Sequence, residues 1–179
     1  MTELGSVTWP PAPIRTERLV LREPEPRDRA AFIELLASPE VHTYLGGPRP
    51  REELERELPE TPQLWPGSFV VDLGGSMIGQ ILLRRATGHS RPAAAGKADL
   101  GYLLLPRAWG FGYAAEACAA ALDWFDGVLP GEPVVLTTQT ANIGSMRLAA
   151  QLGFTEVERF RAWDAEQWLG LRPPATPSP

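Results

Sequence analysis

The stretch DLGYLLLPRAWGFGYAAEACAAAL, Asp99 to Leu122, constrains the fold more than any other part of the chain. Lys97–Leu105 reads as a strand, and Pro106 stops it because proline offers no N–H to a ladder. Two glycines, Gly110 and Gly112, then precede a run of alanines that predicts a helix over Gly112–Phe125. A strand that enters a glycine loop and leaves as a long helix requires a layered α/β architecture. It also aims the helix N-terminus, with its unpaired N–H groups and positive dipole end, at whatever lies beside the loop.

GFGYAA within this stretch fits the dinucleotide pattern G-x-G-x-x-G/A, but its surroundings do not. The first glycine of a dinucleotide site sits in the tight turn directly after the strand, and an acid follows about 20 residues on, after the next strand. Here Pro106-Arg107-Ala108-Trp109 intervenes, and Glu132 precedes its strand. A phosphate loop with a lysine is excluded, because Lys97 is the only lysine in the chain. Two readings remain open. The loop either cradles a phosphate on backbone N–H groups, or it is only a tight β–α connection.

The rest of the chain supplies a compatible set of elements. Arg18–Glu23 alternates as a strand, and Pro26 and Asp28 suit the first turn of a helix continuing through AAFIELLAS. Pro50–Leu58 predicts a short helix with a charged, solvated face. Ser68–Arg85 reads as a hairpin turning at Gly74-Gly75, and Thr87–Gly96 as a flexible loop. Pro133–Thr140 is a strand, Asn142 caps a helix over 143–152, and Gly153 closes it. A final hairpin turns around Asp164. The expectation is one mixed α/β domain over 14–172, with a loose lead-in at 1–13 and a disordered tail at 173–179.

Composition narrows the classes of function. A net charge of -5 argues against a nucleic-acid binder. No stretch approaches the length of apolar residues that spans a membrane, and no signal peptide is apparent, so the cytoplasm is expected. One cysteine, Cys118, excludes an internal disulfide, and neither His42 nor His89 has a companion at ligand spacing, so no metal site is expected. All but one of the 17 basic residues are arginine, a bias read as GC-rich bacterial coding.

Taken with Arg107, RAWGFG matches R/Q-x-x-G-x-G/A and resembles the acetyl-coenzyme A signature of the GNAT N-acetyltransferases. TERLVLREPEPRD, SPEVHTYLGG, MIGQILL, DLGYLLLPRAWGFGYAAEA and NIGSMRLAAQLGF occur in family order over roughly residues 14–162 and resemble the ribosomal-protein-alanine N-acetyltransferase branch. The resemblance implies a central, mixed, mostly antiparallel sheet that splays between the fourth and fifth strands, with helices on both faces. It implies that the pantetheine arm of acetyl-CoA lies in that gap against the backbone of Leu103, Leu104 and Leu105. Arg107 and the loop residues Gly110, Phe111, Gly112, Tyr113, Ala114 and Ala115 would hold the pyrophosphate, with Asn142 and Ser145 as polar contacts.

The implied reaction is direct attack of a primary amine on the acetyl thioester, which needs a base for the amine and a proton or hydrogen bond for the leaving thiolate. Asp99, on one strand face with Gly101 and Leu103, is the candidate base. Glu116 is the weaker alternative. Ala149 stands where many members of the family carry a tyrosine, leaving Ser145 as the candidate acid. Tyr44, Trp65 and Trp163, with Trp168, are expected to border the acceptor or else to be core or dimer contacts. The acceptor is a protein N-terminus or a small amine, and the chain a monomer or homodimer. Two alternatives stay in view: a non-catalytic acyl-CoA-binding module of the same fold, and an oxidoreductase using GFGYAA.

Overall fold

A computed structural model describes residues 4–5, 7–86 and 91–175. Eight strands form a single sheet: β1 (Ile14–Arg15), β2 (Leu19–Arg22), β3 (Ser68–Leu73), β4 (Ser76–Arg85), β5 (Ala98–Leu104), β6 (Val134–Gln139), β7 (Thr155–Ala162) and β8 (Ala165–Arg172). The helices are α1 (Arg29–Ala37), α2 (Arg51–Glu57), α3 (Tyr113–Val128) and α4 (Ile143–Gln151). The strand order is β1-β2-β3-β4-β5-β6-β8-β7, and every pairing is antiparallel except β5 with β6. This is the mixed, mostly antiparallel α/β domain expected from the sequence.

Alternation along the strands splits the apolar residues between two layers. Phe69, Val71, Ile81, Leu83, Leu100 and Leu104 point to one face, where α3 and α4 bring Ala117, Ala121, Phe125 and Leu148 against them. The alanines of α3 let its backbone lie close to the sheet. Val70, Met77 and Leu105 form a smaller core on the other face with Phe32 and Leu35 of α1. The β3–β4 hairpin turns where expected, at Gly74 and Gly75, whose φ of 61° and 93° suits a tight turn between twisted strands.

Three local features differ from the sequence expectation. Packing begins before residue 14: Leu4 is 2% exposed within the main core, and Trp9 meets Phe69 and Trp124 at ring separations of 5.2 and 5.7 Å. The two-residue β1 adds an edge strand too short to show periodicity. Pro106–Ala108 forms a single 3-10 turn that carries the chain from β5 into the glycine loop. The expected flexible loop and disordered tail fall partly on residues 87–90 and 176–179, outside the described residues.

Candidate active site

The parallel β5–β6 contact is short. Only Ala98↔Val134 and Asp99↔Val135 are in register, although β5 runs on to Leu104 and β6 to Gln139. Beyond Asp99 the two strands part, and the sheet opens into a cleft whose apex is Asp99.

Backbone alternation determines which groups face that cleft. The Leu105 N–H donates to Ile78 O of β4 at 2.8 Å. In an antiparallel ladder the paired residues alternate, so Leu103 and Gly101 also turn their backbone toward β4, whereas Leu104, Tyr102 and Leu100 turn theirs toward the cleft. The expectation for three consecutive leucines therefore narrows to Leu104, joined by Tyr102. The Leu104 carbonyl already accepts the Trp109 indole N–H at 2.9 Å.

The glycine loop closes one end of the cleft. Gly110 and Gly112 adopt φ of 85° and 81°, a region in which side-chain-bearing residues are strained, and a Cβ on Gly110 would meet nothing within 4 Å. The loop is thus glycine-rich for conformation, with open space outside it. The bond from the Glu116 N–H to Gly112 O, at 3.2 Å, is the first of α3, so the Tyr113, Ala114 and Ala115 N–H groups precede it without intrahelical partners. Phe111 is exposed and stacks on Tyr113 at 5.6 Å. These open, outward N–H groups at the positive end of a 16-residue helix fit a phosphate group.

The cation beside this loop is not the one expected. Arg107 extends to α1, where it pairs with Glu34 at 2.7 Å. Arg18, the residue before β2, lies against the loop instead. It donates to Phe111 O at 2.9 Å, pairs with Glu116 at 2.7 Å and lies over the Tyr113 ring at 4.6 Å. Against the cost of burial, bonds from Thr16 and Arg18 hold the Glu116 carboxyl below its ordinary pKa. Glu116 is thereby committed to positioning Arg18, not to proton transfer.

The two faces of β5 carry different chemistry. Asp99 turns toward the α1 side, opposite Arg84 of β4. Burial raises its pKa to about 7, with the Arg84 charge pulling the other way. Tyr102 turns toward the α3 side and donates its hydroxyl hydrogen to Ser145 Oγ at 2.6 Å, bridging β5 to α4. Burial raises the tyrosine's pKa to about 12, partly offset by that bond. Asn142 caps α4, its Oδ1 accepting the Ser145 N–H at 3.2 Å, which fixes Ser145 in the first turn.

The aromatic candidates separate. Tyr44 lies in the segment between α1 and α2, where its carbonyl accepts Gln139 Nε2 at 3.2 Å and so ties that segment to the open end of β6. Trp65 stacks under the Arg84 guanidinium at 3.4 Å. Trp163 occupies the β7–β8 turn and is 77% exposed. Trp168 instead belongs to the main core, its ring lying over Gly170. Cys118 is fully buried and its thiol is pushed upward by burial, so it offers no accessible thiolate. Among the described residues no group of three His, Cys, Asp or Glu side chains could hold a metal ion, and no helix is long and apolar enough to cross a membrane.

Arg18, Tyr102 and Arg84 were missed by sequence reasoning. Tyr102 had a signal, because alternation from Asp99 places it on the opposite face. Arg18 and Arg84 had none that distinguished them from fourteen other arginines.

Comparison with known proteins agrees with this fold. The chain superposes with a TM-score of 0.70 on a GNAT-family acetyltransferase from Bacillus anthracis, at 20% identity over 90% of this chain and 98% of that one. An acetyltransferase from Agrobacterium tumefaciens gives a TM-score of 0.67 at 27% identity, over 93% and 96% of the two chains. RimL, a ribosomal L7/L12 alpha-N-protein acetyltransferase solved with coenzyme A, gives 0.68 at 14% identity over 90% and 97%, a likeness of fold alone. The model of the acetyltransferase (GNAT) domain matches residues 18–155, so the chain belongs to the GNAT acetyltransferases, a family of acyltransferases.

Proposed function

We propose that this protein transfers the acetyl group of acetyl-CoA to a primary amine, within a complex that holds both substrates. The observation that carries the reading is the placement of Asp99, a carboxyl poised near neutral pH at the apex where β5 and β6 part.

Acetyl-CoA supplies an activated acetyl thioester. The Gly110–Ala115 backbone and Arg18 would hold its pyrophosphate, and the cleft-facing backbone of Tyr102 and Leu104 its pantetheine arm, with Phe111 and Asn142 as further contacts. Asp99 takes the proton that an ammonium acceptor must lose, directly or through one water. A carboxylate with a pKa near 7 is deprotonated often enough at neutral pH and basic enough to accept that proton. Ser145 faces the departing sulfur as hydrogen-bond donor. Its own oxygen accepts from Tyr102, which leaves the serine hydrogen free to point into the cleft. The pair thus takes the place of the tyrosine that Ala149 lacks. Tyr44, Trp65 and Trp163 border the acceptor's approach, and the cytoplasm of a bacterium is the proposed setting.

Acceptor-dependent release of free thiol from acetyl-CoA tests the reading, measured across small amines, amino acids, aminoglycosides and peptides. Release with at least one acceptor is expected. Binding of acetyl-CoA with release from none would favour a non-catalytic module, and stabilisation by NAD alone would favour the oxidoreductase.

A further inference from the structure

Among the described residues, three buried side-chain polar atoms lack any partner: Trp65 Nε1, Ser68 Oγ and Arg84 Nε. They are not scattered. The Arg84 guanidinium stacks on the Trp65 ring at 3.4 Å, and the Ser68 N–H donates to Trp65 O at 2.9 Å. Ser68 pairs across β3–β4 with Leu82, two residues before Arg84 and on the same face. Buried polar groups are nearly always hydrogen-bonded, so a cluster without partners calls for a ligand.

Arg84 is unlike its neighbours in the fold. Arg22 is held by Asp28 and Asp72, Arg85 by Glu132, and Arg172 by Asp126. Among the described residues, Arg84 has only the Trp65 ring and, across the strand, the more distant charge of Asp99. All three unpartnered groups can donate a hydrogen bond, and a carboxylate, which only accepts, is their natural complement. A planar guanidinium held flat on an aromatic ring is pre-set for the paired hydrogen bonds that a carboxylate accepts.

Resting on the acetyl-transfer reading above, we propose that the acceptor is a free amino acid, its carboxylate bound by Arg84 and its amino group presented to Asp99. Arg84 and Asp99 are direct cross-strand partners, with Cα atoms about 5.5 Å apart. A single carbon separates the amino and carboxylate groups of an α-amino acid, so both ends fall within reach of this pair. A peptide N-terminus would place a neutral amide at Arg84, and a polyamine a second cation, which Arg84 repels.

The test uses the full chain and substrate ladders built on several side chains. Each ladder compares an amino acid, its amide, its decarboxylated amine and a tripeptide beginning with that residue. On at least one ladder the amino acid should lead its own amide and amine by at least 10-fold in kcat/KM. Arg84→Gln should collapse that lead by about 10- to 100-fold, the size of a hydrogen bond to a charged group, with Arg84→Lys recovering part of it. Amides, amines or peptides that serve as well as every amino acid would overturn the proposal, and this comparison needs only the wild-type chain. An Arg84→Gln loss equal on all rungs would also overturn it, since Arg84 would then act only by tuning Asp99. If no rung releases thiol, acetyl transfer itself fails. Calorimetric titration of the amino acids into CoA-saturated protein then decides the carboxylate site: binding that Arg84→Gln abolishes supports it, and absence of binding overturns it.

Discussion

Asp99 and Tyr102 show how much depends on single residues of one strand. Three positions apart, they face opposite sides of β5, so in the proposed reaction one strand would present a base to the acceptor side and a hydroxyl pair to the sulfur side. Ser145→Ala removes the donor proposed for the departing thiolate, and Tyr102→Phe removes the group that orients it. Each should lower kcat by about 100-fold, the low end of general-acid contributions, with little change in acetyl-CoA affinity. Because the two act as one unit, the double variant should lose little more than the worse single variant. Steady-state kinetics on the three variants check this; a loss confined to KM for acetyl-CoA would reassign Ser145 to binding.

At the scale of elements, the unit that matters is β5, its 3-10 turn, the glycine loop and the start of α3. Placing a branched residue at Gly112 conflicts with its φ of 81° and crowds the cradle, where even an added Cβ would lie 3.5 Å from Arg18 Nη2. Gly112→Val and the gentler Arg18→Gln should each raise the Kd for CoA about 10-fold or more by calorimetry, Arg18→Gln through loss of a charged contact. Unchanged affinity in both would remove this loop from CoA binding. This unit was legible in the sequence because it is local: a proline stop, two glycines and an alanine run are contiguous. The same holds for the β3–β4 turn and the Asn142 cap. Arg18 was not legible, since its contact with Glu116 spans 98 positions and only the packing of α3 on β2 creates it. The pairing of Arg84 with Asp99 is hidden for the same reason. So is the insertion of β8 between β6 and β7, because a hairpin's sequence does not say which of its strands will meet the sheet.

For the whole molecule, the consequential feature is a sheet braced on both sides of one opening. On one flank, buried Arg22 joins β2, the start of α1 and β3 through Asp28 and Asp72, each at 2.7 Å. On the other, Arg172 of β8 pairs with Asp126 of α3 at 2.7 Å. These ties leave the β5–β6 opening as the break in an otherwise continuous ladder, with Asp99 at its apex. The carboxyl that folding buries there is stabilised in its protonated form. Its contribution to stability is therefore fully present below its ordinary pKa, near 4, and is lost as pH rises through about 7. Activity runs the opposite way, because only the carboxylate accepts a proton. The most direct measurement is kcat/KM against pH for the wild type and Asp99→Asn, with an acceptor whose amine titrates well above neutrality. The wild type should rise through a pKa near 7 to a plateau. Asp99→Asn should lose that limb and most of its rate, while binding CoA normally and melting higher than the wild type at pH 8. An Asp99→Asn enzyme that keeps both the limb and the rate would contradict the assignment of Asp99 as the base.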